Sequence, residues 1–263
     1  KGSGHYYTLT FTLPFDRPND VYLVAMCYPY SFSRLQRFLE AECRQATDAI
    51  CRREVLCHSL GGLRCDLLTI TDFSASASEL AARPAVVLTA RVHPGEVVAS
   101  FMMEGVVQFL LGSSALASVL RALYVFKVVP MLNPDGVFHG NSRTSLAGVD
   151  LNRTWAKPDP ELHPTIWHTK QLIKAMIAQR KVALFADLHG HSRKKNIFIY
   201  GVEYKKASAL AAAGGHGMYA NPVRLFPRYI SESALTSHIF SLPDCSFTVS
   251  KSHAQAARVV VAR

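Results

Sequence analysis

The sequence predicts an α/β fold in which a mixed, mostly parallel sheet is flanked by helices. Short apolar runs rich in β-branched residues are followed by longer helical patterns, as in βαβ units. Candidate metal ligands come directly after two of these runs, where open α/β sheets place their sites. The chain has 263 residues, of which 49% are hydrophobic, so it is long enough to bury one large α/β core.

The elements of this fold are placed along the chain by their periodicity and by the residues that bound them. The predicted strands are short apolar runs: Pro84–Ala90, Tyr124–Leu132 and Val182–Ala186. The predicted helices have an apolar face or an apolar body: Ser31–Arg53, Val97–Leu111 (with Pro94 in its first turn) and Pro160–Lys181. Two segments of small residues are predicted to be a surface loop, Ser74–Ala82, and a mobile loop or short irregular helix, Ala207–Gly217.

His93, Glu96 and His189 form the predicted metal site. Two imidazoles and one carboxylate are the usual ligands of a zinc ion that keeps a fourth position open for water. His93 and Glu96 lie three residues apart, so one turn can direct both side chains to one point. His-x-x-Glu alone is a weak signal, but both histidines follow predicted buried strands. The alternative is that His93 and His189 are turn residues bonded to backbone groups.

A second group of polar residues follows the turn Asn133-Pro134-Asp135-Gly136. Arg143, Asn152 and Arg153 lie on predicted loops beside the metal site. Arginine offers a planar fork of donors and asparagine an amide donor, so the three are suited to binding a carboxylate. The alternative for each arginine taken alone is an ordinary solvated surface residue.

Together these motifs resemble those of zinc metallocarboxypeptidases, specifically the cytosolic carboxypeptidase branch that trims glutamates from tubulin and other proteins. The matching stretches run in family order from near residue 6 to near residue 261, so the resemblance covers most of the chain. They are Tyr6–Thr10, Cys27–Ser31, Arg91–Glu96, Asn133–Val137, Gly140–Arg143, Leu146–Arg153, Asp187–Ser192 and Asp244–Phe247.

The resemblance implies a role for each candidate residue. The residues of the metal site match the ligands of one zinc ion, Zn²⁺. Asn152 and Arg153 match the pair that holds the C-terminal carboxylate of the substrate, and Arg143 matches the arginine that polarises the scissile carbonyl. Arg258 falls where this branch places a basic residue that meets an acidic side chain. The alternative for Arg258 is a surface charge at a strand end.

The resemblance also implies a general base that the printed chain lacks. In the family this base is a glutamate a little beyond the stretch that matches Arg258 to Arg263, and no Asp or Glu follows Asp244 here. Either the chain is a fragment, or it is a complete protein that has lost the base. The fragment hypothesis also predicts that residues 1–30 are the last strands of a β-rich domain, ahead of a carboxypeptidase domain, residues 31–263, that lacks its C-terminal part.

The predicted function is hydrolysis of C-terminal or branch-point glutamates from acidic protein tails such as those of tubulin. The formal net charge of +10 suits an acidic partner, because a basic surface steers acidic tails toward it. One alternative is a catalytically inactive zinc-binding module that recognises acidic tails. Another is a zinc-dependent N-acyl-amino-acid amidohydrolase, whose ligand pattern is similar.

Composition predicts the surroundings of the protein. Its six cysteines form no Cys-x-x-Cys pair, which is typical of reduced thiols in an intracellular protein. No apolar run reaches membrane-spanning length, and no nucleic-acid recognition motif is present. We therefore expect a cytoplasmic monomer that binds neither membranes nor nucleic acid, and that associates with microtubules if tubulin is its substrate.

Overall fold

A mixed sheet forms the centre of the computed structural model, which describes residues 8–203 and 222–262. Its strands are β1 (Cys51–His58), β2 (Arg64–Ile70), β3 (Ala85–Ala90), β4 (Val125–Val129) and β5 (Val182–Leu188), in the order β1-β2-β4-β3-β5. β2 is antiparallel to both β1 and β4, whereas β3 is parallel to both β4 and β5. The predicted mixed sheet is confirmed, and two of its four pairings in the described part of the chain are parallel.

Helices cover both faces of this sheet. They are α1 (Phe32–Gln45), α2 (Ala77–Ala82), α3 (Val98–Leu111), α4 (Ala115–Leu123), α5 (Pro134–Phe138), α6 (Pro164–Gln179), α7 (Pro222–Glu232) and α8 (Ala257–Val261). Two short 3-10 turns span Leu151–Arg153 and Lys251–His253. The segment predicted over Ala207–Gly217 lies outside the described residues.

The core consists of two apolar clusters, one on each face of the sheet. Consecutive residues of β3 point to opposite faces, so that Val86 packs in the cluster with α1 and α3 while Val87 packs in the cluster with α6 and Trp155. This alternation follows from the period of two of a strand. Because both faces are covered, polar side chains gather at the ends of the strands.

The predicted helices differ from the structure at their boundaries. The helix expected over Ser31–Arg53 ends at Gln45, and the chain from Cys51 onward pairs with β2 instead. The prediction of a loop over Ser74–Ala82 is wrong in its second half, which forms α2. There the side chain of Ser76 accepts from the backbone N–H of Glu79, and the Glu79 carboxylate accepts from the backbone N–H of Ser76. This capping box lets a short helix form without an apolar face.

The segment before α1 differs from the expected strands. Residues 8–30 contain no strand, and only Tyr30 among them is buried. A strand needs a hydrogen-bonding neighbour, and this segment pairs with no other part of the described chain. Its apolar side chains are therefore exposed, among them Leu9, Phe11, Phe15, Leu23 and Met26.

No single helix within residues 8–203 and 222–262 is both long and apolar enough to cross a membrane. α3 and α4 meet that criterion only as a pair, and the chain bends by 89° between them.

Candidate metal centre

The parallel pairing of β3 and β5 brings the predicted metal ligands together. Thr89 is the register partner of Asp187, and Ala90 is the partner of Leu188. The chain therefore leaves both strands at the same edge of the sheet, with His93 following β3 and His189 following β5. The turn of His93 to Glu96 precedes α3, which begins at Val98. Pro94 thus lies before the helix and not in its first turn, contrary to the sequence-based expectation.

His93, Glu96 and His189 offer their ligand atoms to one small volume. Nitrogen and oxygen atoms of the three side chains lie within 4.8 Å of one another. The two oxygens of Glu96 contact the two rings separately, at 2.8 Å from Nδ1 of His93 and 2.9 Å from Nδ1 of His189. A zinc ion prefers this donor set in catalytic sites, and the sequence-predicted trio is the one that the fold assembles.

Each ring also has a carboxylate on its far side. Nε2 of His93 lies 3.0 Å from Oδ1 of Asp150, and Nε2 of His189 lies 2.8 Å from Oδ2 of Asp187. A carboxylate at Nε2 would keep the ring proton there once Nδ1 bound a metal, as in metal-ligating histidines. This arrangement fits a metal cation better than it fits histidines bonded to backbone groups.

The roles of Asp150 and Asp187 were missed by sequence reasoning, although both residues lie in quoted motifs. Asp187 lies two residues before His189, so the pair shares one strand end and a signal was present locally. Asp150 lies 57 residues from His93, and no local pattern links them. Oδ1 of Asp187, on β5, also accepts from the hydroxyl of Thr89, on β3, at 2.8 Å. This hydrogen bond holds the carboxylate against the neighbouring strand.

The charges of the centre stabilise one another. Burial disfavours the charged form of Glu96, but hydrogen bonds from His189 and His93 outweigh it and hold the pKa of Glu96 well below its usual range. Burial likewise opposes protonation of His189, yet the charge of Asp187 and hydrogen bonds to Asp187 and Glu96 raise its pKa to about 10. Burial of Asp150 is offset first by its hydrogen bond with His93, which lowers the pKa of Asp150. Because a carboxylate only accepts hydrogen bonds, each Nδ1 carries the proton of its contact with Glu96, and a metal ion bound there would displace that proton.

A glycine after His189 lets the chain pass close to the third ligand. The backbone N–H of Gly190 donates to Oε2 of Glu96 at 2.9 Å. A Cβ on Gly190 would lie only 2.9 Å from Cγ1 of Val98 and 3.2 Å from Cβ of Glu96. A larger residue here would push the Glu96 side chain out of position.

The predicted carboxylate-binding residues lie next to the metal ligands. Nε and Nη2 of Arg143 lie 3.0 and 2.8 Å from Oδ2 of Asp150, and Arg153 approaches the same oxygen at 3.9 Å. Asn152 is buried, and its Oδ1 accepts from the backbone N–H of Ala257 at 3.0 Å. With that oxygen occupied, the orientation of the Asn152 amide is fixed, and its NH₂ group is the part left to donate to another molecule.

Arg258 lies on α8, directly after Ala257, whose backbone N–H donates to Asn152. Its guanidinium lies 5.5 Å from the centroid of the Tyr200 ring, and its buried Nε has no hydrogen-bond partner in the described part of the chain. Three of the arginines act electrostatically on one group, His253. Burial first, and then the positive charges of Arg153, Arg258 and Arg143, lower the pKa of His253. The arginines predicted from the sequence therefore share one basic region beside the metal ligands.

Comparison with known proteins identifies relatives of this chain. The sequence matches the family described as Zinc carboxypeptidase over residues 38–223. It is 44% identical over 267 residues to cytosolic carboxypeptidase 1 of Xenopus laevis, covering 97% of this chain and 22% of that protein. It is 43% identical over 258 residues to cytosolic carboxypeptidase 2 of Danio rerio, covering 98% of this chain and 34% of that protein. The chain thus spans about a fifth to a third of the length of these curated relatives.

Solved structures show the same fold. A metallo-carboxypeptidase from Burkholderia cenocepacia aligns with a TM-score of 0.69 at 26% identity, covering 89% of this chain and 57% of that chain. A metallo-carboxypeptidase from Pseudomonas aeruginosa, in complex with (2-guanidinoethylmercapto)succinic acid, aligns with a TM-score of 0.67 at 26% identity, covering 89% and 56% of the respective chains.

Proposed function

The chain belongs to the zinc carboxypeptidase family, and from this premise we propose that it is a metallocarboxypeptidase domain that hydrolyses the C-terminal amide bond of a peptide. The family membership confirms the resemblance seen in the sequence. The observation that carries the proposal is the convergence of the ligand atoms of His93, Glu96 and His189 within 4.8 Å, next to the turn that carries Asn152 and Arg153.

We propose that these three residues hold one zinc ion. When bound in such a site, zinc lowers the pKa of a coordinated water and polarises the substrate carbonyl. Asp150 and Asp187 keep the two rings in the tautomer that ligation requires, through their contacts with Nε2. Glu96 is held as a carboxylate by its hydrogen bonds, so it is ready to serve as a ligand at neutral pH.

The remaining polar residues bind the end of the substrate. In our proposal, the Asn152 amide and the Arg153 guanidinium donate to the C-terminal carboxylate, as charge-assisted hydrogen bonds of this type are strong and directional. Arg143 donates to the scissile carbonyl. Its side chain is about half exposed and is aligned by Asp150, so a substrate can reach it while its position stays defined.

We propose glutamate as the released residue and acidic tails such as those of tubulin as the substrate. Two features support this: the buried Nε of Arg258 finds no hydrogen-bond partner among the described residues, and the whole chain carries a formal net charge of +10. Because the relatives are named cytosolic carboxypeptidases, we also propose that the protein acts in the cytosol. Association with microtubules would follow from a tubulin substrate.

An inactive zinc-binding module is the second candidate function. It is favoured by the state of the carboxylates at the centre, because hydrolysis needs a free group that takes a proton from water and passes it to the leaving amine. Asp150 and Asp187, the other carboxylates of the centre, are already bonded to the two histidines. Such a module would bind zinc and an acidic tail without cleaving it.

The test compares the 263-residue chain with a version extended through the downstream coding sequence. Both are loaded with zinc and incubated with a polyglutamate-tailed peptide, and free glutamate is measured over time. Activity of the extended chain alone supports the carboxypeptidase and places the base outside the printed sequence. Peptide binding without cleavage by either chain supports the binding module.

Three controls sharpen this experiment. A peptide with an amidated C-terminus removes the carboxylate that Asn152 and Arg153 are proposed to hold, so it should not be cleaved. N-acetylglutamate tests the amidohydrolase alternative, and its hydrolysis in the absence of peptide cleavage would contradict our proposal. A Glu96→Gln variant of the active chain should lose both zinc and activity.

A further inference from the structure

Arg91 is a buried cation directly beside the metal ligands, and none of the roles described above involves it. Only 2% of its surface is exposed, and its backbone adopts a left-handed conformation with φ of 59°. No carboxylate within residues 8–203 and 222–262 lies within ion-pair distance of its guanidinium. A buried arginine without an acid partner is costly unless its donors are satisfied in another way.

The donors of Arg91 bind three separate segments of the chain. Nε donates to the carbonyl of Pro94 at 2.8 Å, Nη1 to the hydroxyl of Ser100 at 2.7 Å, and Nη2 to the carbonyl of Tyr30 at 3.1 Å. Pro94 lies inside the turn that carries two of the proposed ligands, and Ser100 lies in the first turn of α3. One planar side chain therefore joins the turn His93–Glu96, the helix α3 that follows it and the segment that enters α1.

The contact with Pro94 fixes a single peptide group from one side, and a second contact fixes it from the other. The carbonyl of Pro94 accepts from Arg91, while the N–H of the same peptide group, on Gly95, donates to the carbonyl of Ser142 at 2.8 Å. This peptide group lies midway between His93 and Glu96. Rotation of its plane would move the two ligand side chains relative to each other.

We propose that Arg91 is a positioning residue of the metal centre, which sets the separation of His93 and Glu96 by clamping the Pro94–Gly95 peptide against α3 and Tyr30. The inference rests on the zinc site of the proposed function. Arginine suits this role because its rigid fork reaches three acceptors in fixed directions, whereas the ammonium of a lysine is a point donor on a flexible stem. Residues that hold metal ligands in place in this way tune metal affinity.

The other explanation is that Arg91 only stabilises the fold. A second buried arginine, Arg121, offers a matched control that separates the two explanations. Arg121 is also buried, with 7% of its surface exposed. It donates to the carbonyls of Leu110 and Gly112 and to the hydroxyl of Ser118. Both arginines thus bind two carbonyls and one serine hydroxyl, but the contacts of Arg121 lie at the C-terminal end of α3 and in α4, and none is to a residue of the turn His93–Glu96.

The experiment measures zinc affinity by competition with a chromophoric chelator, on metal-stripped protein, with folding checked by circular dichroism. Arg91→Met and Arg91→Lys are compared with Arg121→Met. We expect both Arg91 variants to bind zinc about 10- to 100-fold more weakly than the wild type, and Arg121→Met to bind it as the wild type does. The visible absorption of the cobalt-substituted Arg91 variants should shift, because the ligand geometry changes.

Three results would overturn the inference. The first is wild-type zinc affinity in both Arg91 variants, and the second is an equal loss of affinity in Arg121→Met. If Arg91→Met and Arg91→Lys do not fold, Ser100→Ala is compared with Ser118→Ala, since each removes one partner of the respective arginine. Equal zinc affinity in these two serine variants is the third. Failure of the wild-type chain to bind zinc would instead remove the proposed metal site itself, and this inference with it.

Discussion

Replacement of Asp187 by asparagine tests whether the carboxylate behind His189 tunes the metal centre. The side chain of Asp187 is 5% exposed, and its two oxygens accept from His189 at 2.8 Å and from Thr89 at 2.8 Å. Asparagine has nearly the same shape but no charge and one acceptor oxygen, so it serves only one of these donors. We expect zinc affinity to fall about 10- to 100-fold, which equals about 1.4–2.8 kcal/mol.

The same substitution should also lower the stability of the metal-free protein. One of the two donors loses its acceptor inside the protein, and an unsatisfied buried donor costs about 1–3 kcal/mol. Zinc affinity is measured by chelator competition and the free energy of unfolding by urea titration. Thr89→Val serves as the control, because it removes the hydroxyl donor but keeps the negative charge behind His189.

The two variants separate charge from packing. Thr89→Val should lose stability and keep a zinc affinity close to that of the wild type, whereas Asp187→Asn should lose both. Wild-type zinc affinity in Asp187→Asn would refute the reasoning, because it would mean that the carboxylate neither orients His189 nor contributes charge to the centre.

Three further predictions address the substrate, the core and the metal. Arg153→Met should weaken binding of a free-acid peptide by about 10- to 100-fold, the loss expected for one charge-assisted hydrogen bond of about 1.5–3 kcal/mol, and should leave an amidated peptide unaffected in a fluorescence anisotropy assay. Leu39→Ala, at a fully buried position of α1, should cost about 2–5 kcal/mol of unfolding free energy in urea, whereas Leu116→Ala, at a position 59% exposed, should cost less than about 0.5 kcal/mol. Zinc at 100 times its Kd should stabilise the wild type by about 2.7 kcal/mol, and EDTA should reverse the shift in Tm; a shift of the same size in Glu96→Ala would contradict the ligand assignment.

The sequence predicted the mixed sheet and its central strands because a strand that is buried on both faces has a recognisable apolar composition. A strand covered by helices on either side is almost entirely apolar, as in Ala85–Ala90, where Thr89 is the exception, and such a run is recognisable without a structure. It also indicated the residues proposed as metal ligands, since His93 and Glu96 follow one buried strand and His189 follows another. The local sequence pattern was enough to predict those features that neighbouring residues in the chain determine.

Errors arose where partners distant in the chain decide the structure. The helical pattern after Ser31 continues to Arg53, but β1 forms from Cys51 because a neighbouring strand offers backbone hydrogen bonds there. Residues 8–30 show the opposite case. No part of the described chain forms a β-ladder with this segment, so no strand forms there.

The sequence by itself determined the types of residue available for chemistry and the strands that carry them. Only the tertiary structure decided their partnerships. Asp150 meets His93 across 57 positions, and Glu96 meets His189 across 93. Arg91 reaches Tyr30 across 61. Contacts of this kind depend on where separate strands and turns come to lie in space, because the directions of hydrogen bonds are set by packing and not by spacing along the chain.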